Sequence, residues 1–195
     1  MVSTTEAIVL SLQPHSDKAH VLHTYTRAGG RVNYMVYGLG RKHAIGLYTP
    51  FTLLSITADY PSGSKPPTLK EATPIHTNTS SLTNDYYRQA VALFLSEVLY
   101  LTLRYPVPDE PMFAFLAQAV RTIDDTPNFH LQFLIGFAAH LGFAIDETKQ
   151  PQLVRLPQSR AERQEQLRLL CAYFSTHIDD WTEPRSLAVL MEVFD

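Results

Sequence analysis

At 195 residues and 45% apolar side chains, the chain can form one large or two small domains and bury a real core. Its longest apolar runs fall far short of the roughly 18 to 20 residues of a membrane span, and Met1 does not open a secretory signal, so the expectation is a soluble cytoplasmic protein with no membrane partner. The formal charge of −3 is unevenly spread: residues 1–80 carry seven Lys or Arg against four acids, residues 81–195 nine against fifteen, a contrast that suggests different partners for the two parts without the strong field of a dedicated DNA binder.

Up to residue 80 the apolar residues come in short runs rich in Val, Ile, Thr, Tyr and Phe, the strand signature. Strands are expected near Ala7 to Leu12, His20 to Tyr25, Arg31 to Tyr37, Phe51 to Ala58 and Thr68 to Pro74. Gly29 and Gly30 supply the positive φ that a turn between the second and third requires. Five short strands without a long helix suggest a closed barrel, since closure removes sheet edges. "PSGSKPP", Pro61 to Pro67, reads as a protruding loop.

Beyond residue 80 the period is helical. Tyr87, Val91, Phe94, Leu95, Val98 and Leu101 mark one helix, ended by "YPVPDEP". Asp109 is placed to cap a second, running through Ile123. A third, Asn128 to Leu141, is apolar nearly all round and belongs at the bundle centre, with Gly142 at its C-terminal end. Ser159 and Glu162 form a capping box for a fourth, and Pro184 opens a short fifth. The fold class is therefore α+β: an all-β domain over residues 1–80 followed by an all-α domain over residues 81–195.

Little points to chemistry. "GLGRKH" lacks the spacing of a phosphate-cradling loop and opens no helix. None of the eight histidines sits at metal-ligand spacing with an acid, and Cys171, the single cysteine, excludes an internal disulfide and a multi-cysteine zinc site. No catalytic residue, metal or cofactor is expected. Binding remains: a small barrel with cations at strand ends can follow a phosphate backbone, as OB-folds do, with tyrosines for base stacking. Arg27, Arg31, Arg41 and Lys42 lie beside turns, Lys18, Lys65 and Lys70 extend the track, and Tyr25, Tyr34, Tyr37 and Tyr48 are nearby. The bland alternatives are solvated cations and tyrosines packed in the barrel.

The run "EAIVLSLQPHSDKAHVLHTYTRAGGRVNYMVYGLGRKH" resembles the opening of the RecO family of DNA repair proteins: an apolar "aIVL" strand, the pair Ser16, Asp17, the turn around Tyr25, Thr26, Gly30 and Arg31, and a turn trailed by Arg41 and Lys42. "YTPFTLLSI" follows as in that family, and "FLIGFAAHLGF" and "SRAERQEQLRLLCAYFSTHI" resemble its helices. The resemblance implies a five-stranded OB-fold barrel before a helical bundle. It also implies a recombination mediator without turnover: one that binds and anneals single- and double-stranded DNA, works with RecR and often RecF, and helps load RecA onto strands coated by single-strand-binding protein (SSB). It further implies that the helical part captures the acidic SSB C-terminal tail, for which Arg88, Arg104 and Arg121 are the candidate cations. Two departures stand out: Cys171 alone cannot hold the family's cysteine zinc site, and Ala144 to Gln158 is short by family standards. The rival readings are a protein-interaction scaffold with an OB-like barrel and, third, an enzyme acting on nucleic acid.

Overall fold

The run Ala7, Ile8, Val9, Leu10 has no polar alternation, the mark of a strand covered on both faces. The computed structural model, which describes residues 1–39, 46–63, 65–75, 86–123 and 126–193, shows both covers. Strand β1 spans Val2–Ser16. Ala7 and Val9 join a barrel core with Leu22, Tyr34, Val36, Leu54, Ile56 and Ala58, whereas Ile8 and Leu10 belong to a second core built mainly by helices.

The other strands are β2 (Ala19–Thr26), β3 (Gly30–Tyr37), β4 (Leu53–Asp59) and β5 (Thr68–Pro74). They close into a barrel in the order β1-β2-β3-β5-β4, with β3 and β5 parallel and the other neighbours antiparallel. This is the closed five-stranded barrel expected of an OB-fold. β1 serves two neighbours: Val2 to Ile8 pair with Asp59 to Leu53 of β4, and Ala7 to Ser16 pair with β2. Leu10 is the extra residue of a bulge, since Val9 pairs with Thr24 and Ser11 with His23, and a bulge bends the strand enough to close the barrel. The strand begins earlier than its apolar pattern because Val2 to Glu6 are fixed by pairing with β4 rather than by burial.

Gly30 takes φ +60°, as the hairpin requires. Phe51 also adopts a left-handed φ of 61°, unusual for a bulky residue. Full burial and an edge-to-face contact with Phe133, centroids 5.8 Å apart, hold it there.

The helices are α1 (Tyr86–Thr102), α2 (Glu110–Thr122), α3 (Phe129–His140), the single turn α4 (Pro151–Val154), α5 (Arg160–His177) and α6 (Ser186–Val193). The Asp109 side chain accepts from the Met112 N–H at 2.9 Å, the Ser159–Glu162 capping box is formed, and Gly142 takes φ +90° after α3. The turn α4 lies within Ala144 to Gln158, where the sequence predicts no element. Cys171 is a buried free thiol whose pKa burial pushes up to about 12.

The proposed boundary near residue 80 falls outside the described residues. Strands and helices separate along the chain as expected, yet their cores do not. Ile8, Leu10, Tyr25, Phe51 and Leu53 pack into the same cluster as Phe94, Phe113, Phe133 and Phe137 of the helices. The helices thus cover one side of the barrel.

Candidate nucleic-acid interface

The cations at the β2–β3 hairpin do not stand free in solvent. The Arg27 Nε donates to Glu6 Oε2 at 2.7 Å, the same guanidinium pairs with Glu110 at the start of α2, and it lies over the Phe113 ring at 4.6 Å. Those partners hold its pKa up, the Glu6 hydrogen bond most strongly. Arg31 donates to the Tyr100 carbonyl at 3.3 Å and stacks 4.1 Å over the Tyr100 ring. Burial lowers its pKa, partly offset by Tyr100. Backbone contacts reinforce the junction: the Arg31 N–H donates to the Tyr105 carbonyl at 3.1 Å, and a Cβ built on Gly30 would sit 2.2 Å from the Val107 oxygen. The structure therefore places Arg27 and Arg31 in the seam between barrel and helices rather than on an open phosphate track. Sequence alone missed this because Tyr100 and Glu110 lie far along the chain.

From the seam, the outer face of the β2–β3 sheet opens toward the opposite end. Register puts Tyr25 with Arg31, His23 with Asn33, Val21 with Met35 and Ala19 with Tyr37 on one face, alternating with the inward Leu22, Thr24, Tyr34 and Val36. Tyr25 is buried against Phe113, and His23 meets the Tyr100 edge at 5.2 Å while sharing a 2.7 Å hydrogen bond with Asn33. Burial lowers the His23 pKa. Farther along, Met35 is half-buried and Tyr37 is 59% exposed, roughly 20 Å from Arg31 at strand spacing.

That open end gathers the other predicted cations. Lys18 lies in the β1–β2 turn, one residue before Ala19, which pairs with Tyr37. Lys65 belongs to the β4–β5 loop, which docks on β3 through the Met35 N–H donating to the Pro67 carbonyl at 2.8 Å. Lys70 is the extra residue of a bulge, since Thr57 pairs with Glu71 and Ala58 with Leu69, and it is exposed. Arg41 and Lys42 follow β3 but lie outside the described residues.

Of the four tyrosines considered for base stacking, three pack inside. Tyr34 is fully buried and shares a 2.9 Å hydrogen bond with Tyr60, Tyr48 is 8% exposed in the barrel, and Tyr25 is in the seam. Only Tyr37 of this set presents its ring to solvent.

The helical cations do not form one cluster. Arg88 near the start of α1 and Arg121 at the end of α2 share an end of the bundle, where the Tyr87 hydroxyl donates to the Pro127 carbonyl at 3.0 Å. Arg104 lies beyond the other end of α1, roughly 24 Å away along the axis. It donates to the Asp180 carbonyl at 3.0 Å, with the Asp180 carboxylate 3.8 Å off. Phe133, beside exposed Gln132, is 4% exposed and packed on Phe51, Phe115 and Phe137, so it lines no open pocket. Among the described residues no three His, Cys, Asp or Glu could hold a metal ion, and no helix is long and apolar enough to cross a membrane.

Comparison with known proteins finds two family models along the chain. Residues 1–78 match the family described as "Recombination protein O N terminal", and residues 83–152 the one described as "Recombination protein O C terminal". A protein named "DNA repair protein RecO" from Phocaeicola vulgatus is 34% identical over 152 residues, which span 73% of this chain and 61% of that protein. Proteins of the same name from Christiangramia forsetii and Bacteroides fragilis are 26% and 28% identical over the whole of both chains.

Proposed function

The chain belongs to the RecO family, and on that premise we propose that it acts in DNA repair and recombination by binding single-stranded DNA on the outer face of its barrel, without catalytic turnover. The observation that carries this reading is the convergence, at the end of the β2–β3 face away from the helices, of an exposed aromatic ring and the loop cations. Tyr37 offers a π-face for a base, Met35 and Val21 an apolar floor, and Lys18 and Lys65 flank them. Arg41 and Lys42, on the segment leaving β3, and Lys70 on its bulge extend the phosphate contacts. Bases stack on aromatics with little sequence preference, and each phosphate neutralised releases counterions. Arg27 and Arg31 fall to a different role, joining barrel to bundle, because their guanidinium groups are already occupied.

Family membership extends the reading to annealing of DNA strands, to RecR and, where present, RecF as partners, to RecA loading, and to capture of the SSB tail by the helical part. For that tail, Arg88 and Arg121 are the supported pair, since they share one end of the bundle. The alternative of a scaffold that never meets nucleic acid makes an opposite forecast for salt.

The test is fluorescence anisotropy of labelled single-stranded DNA across a salt series. Affinity should fall steeply with salt, and each of Lys18→Ala and Lys65→Ala should flatten the log-log slope by about 0.7. Tyr37→Ala should weaken binding by about 1 to 3 kcal/mol with an unchanged slope. Arg27→Ala should leave the slope alone. Salt-insensitive or absent binding, or a slope that responds to Arg27 and not to the lysines, overturns the proposal.

A further inference from the structure

Strand β3 exposes two side chains, Asn33 and Tyr37, and register puts both on the outer face of the barrel. The β3 residues around them are buried or half-buried, and Arg31 is closed over Tyr100. The Asn33 amide therefore shares an open strip with the stacking ring, four residues from Tyr37 or about 13 Å at strand spacing.

The orientation of that amide is fixed. Arg31 Nε donates to Asn33 Oδ1 at 3.4 Å, and a guanidinium has no acceptor, so the atom facing it is the oxygen. His23 Nδ1 lies 2.7 Å from the same oxygen and must carry its hydrogen there. His23 is itself held edge-on to Tyr100, whose ring also carries Arg31, so the seam secures both donors. Two donors thus converge on Oδ1, and the Nδ2 amino group is left to face outward.

An unrestrained asparagine reads adenine with both ends of its amide, accepting from N6 and donating to N7. Here the accepting end is already occupied. What remains is a donor, which suits a base carbonyl such as O4 or O2 of thymine and offers nothing to the adenine amino group.

We propose that Asn33 reads bases on the barrel face and favours thymine over adenine, with His23 and Arg31 as the positioning residues that fix its amide. The inference rests on the reading of this face as the single-stranded DNA site and adds a base preference to it. Stacking on Tyr37 tolerates every base, so the discrimination falls to Asn33.

The test compares anisotropy titrations of oligo-dT and oligo-dA of equal length on the full chain. Adenine tracts stack on themselves, so the ratio of the two dissociation constants is compared between wild type and variants rather than read alone. Asn33→Ala, an exposed substitution, should cut the preference for oligo-dT by about three- to tenfold, the range for one hydrogen bond. The loss should fall on oligo-dT, while oligo-dA affinity and both salt slopes hold. Asn33→Asp keeps an oxygen for His23 and Arg31 and turns the outward donor into an acceptor, so its preference should fall below that of Asn33→Ala. A purely structural role for Asn33 would weaken both oligonucleotides alike. Equal loss on both, an unchanged preference in Asn33→Ala, or an Asn33→Asp preference no lower than that of Asn33→Ala, while binding keeps its dependence on Tyr37 and the lysines, overturns this inference alone. Absence of salt-sensitive binding to either oligonucleotide overturns it together with the barrel reading.

Discussion

Gly30 combines two constraints at one Cα. Its φ of +60° disfavours any side chain, and a Cβ would stand 2.2 Å from the Val107 carbonyl oxygen, a backbone atom that cannot swing aside. Gly30→Val is therefore expected to cost well above the roughly 1 kcal/mol of a typical substitution, and Gly30→Ala to share most of that loss. Denaturant midpoints measure it; an unchanged midpoint in either variant would show that the seam yields at this point. The first constraint was legible in the "GG" pair, the second was not, because Val107 is remote in sequence. His130 offers a second residue-scale forecast. It is fully buried, and burial, with the nearby Arg163 charge, depresses its pKa to about 3. The unfolded chain takes up a proton near pH 6.5 that the folded chain refuses, so the neutral ring's contribution is intact above that pH and is lost as pH falls toward 3. Between pH 7 and pH 5 the wild type should lose about 2 kcal/mol from this group, and His130→Leu should lose correspondingly less. Parallel pH profiles of the two proteins would rule the idea out.

Elements were readable where a local rule fixes them. β5 runs Thr68–Pro74 as its pattern indicates, α2 starts after the Asp109 cap, and α5 starts at the Ser159–Glu162 box. Each of these signals lies within a few residues of the boundary it sets. β1 was less legible: its first residues alternate poorly and are held by β4 some fifty residues later, and the bulge at Leu10 has no signature of its own. The single turn α4 is too short for a period. Site residues follow the same division. Sequence places cations at strand ends, which is correct for Lys18, but it cannot tell a strand end facing solvent from one facing another element. For that reason Arg27, closed over Phe113 and bonded to Glu6 and Glu110, reads in the sequence like its open neighbours. The same blindness made Tyr25, Tyr34 and Tyr48 equal to Tyr37, although only Tyr37 of the four is exposed.

At the scale of the whole molecule the charge step near residue 80 suggests two parts that meet different partners, yet barrel and helices share one core. The helical core takes Ile8, Leu10, Tyr25, Phe51 and Leu53 from the barrel, so removing the helices would strip the cover from one side of β1 and β4. Phe133 sits at the junction, stacked on Phe115 and Phe137 and meeting Phe51 edge to face. Truncating it to alanine should cost about 3 to 5 kcal/mol, the range for a buried Phe. If barrel and helices unfold together, that loss is felt everywhere: hydrogen-exchange protection of the slowest amides, at Leu22 and Tyr34 in the barrel and at Leu134 and Leu167 in the helices, should fall by the same free energy in Phe133→Ala. Were the domains separable, Leu134 and Leu167 would lose protection while Leu22 and Tyr34 kept theirs. Exchange rates at those four positions decide between one cooperative body and two, and so decide whether a partner bound to the helices can influence the proposed DNA-binding face through stability alone.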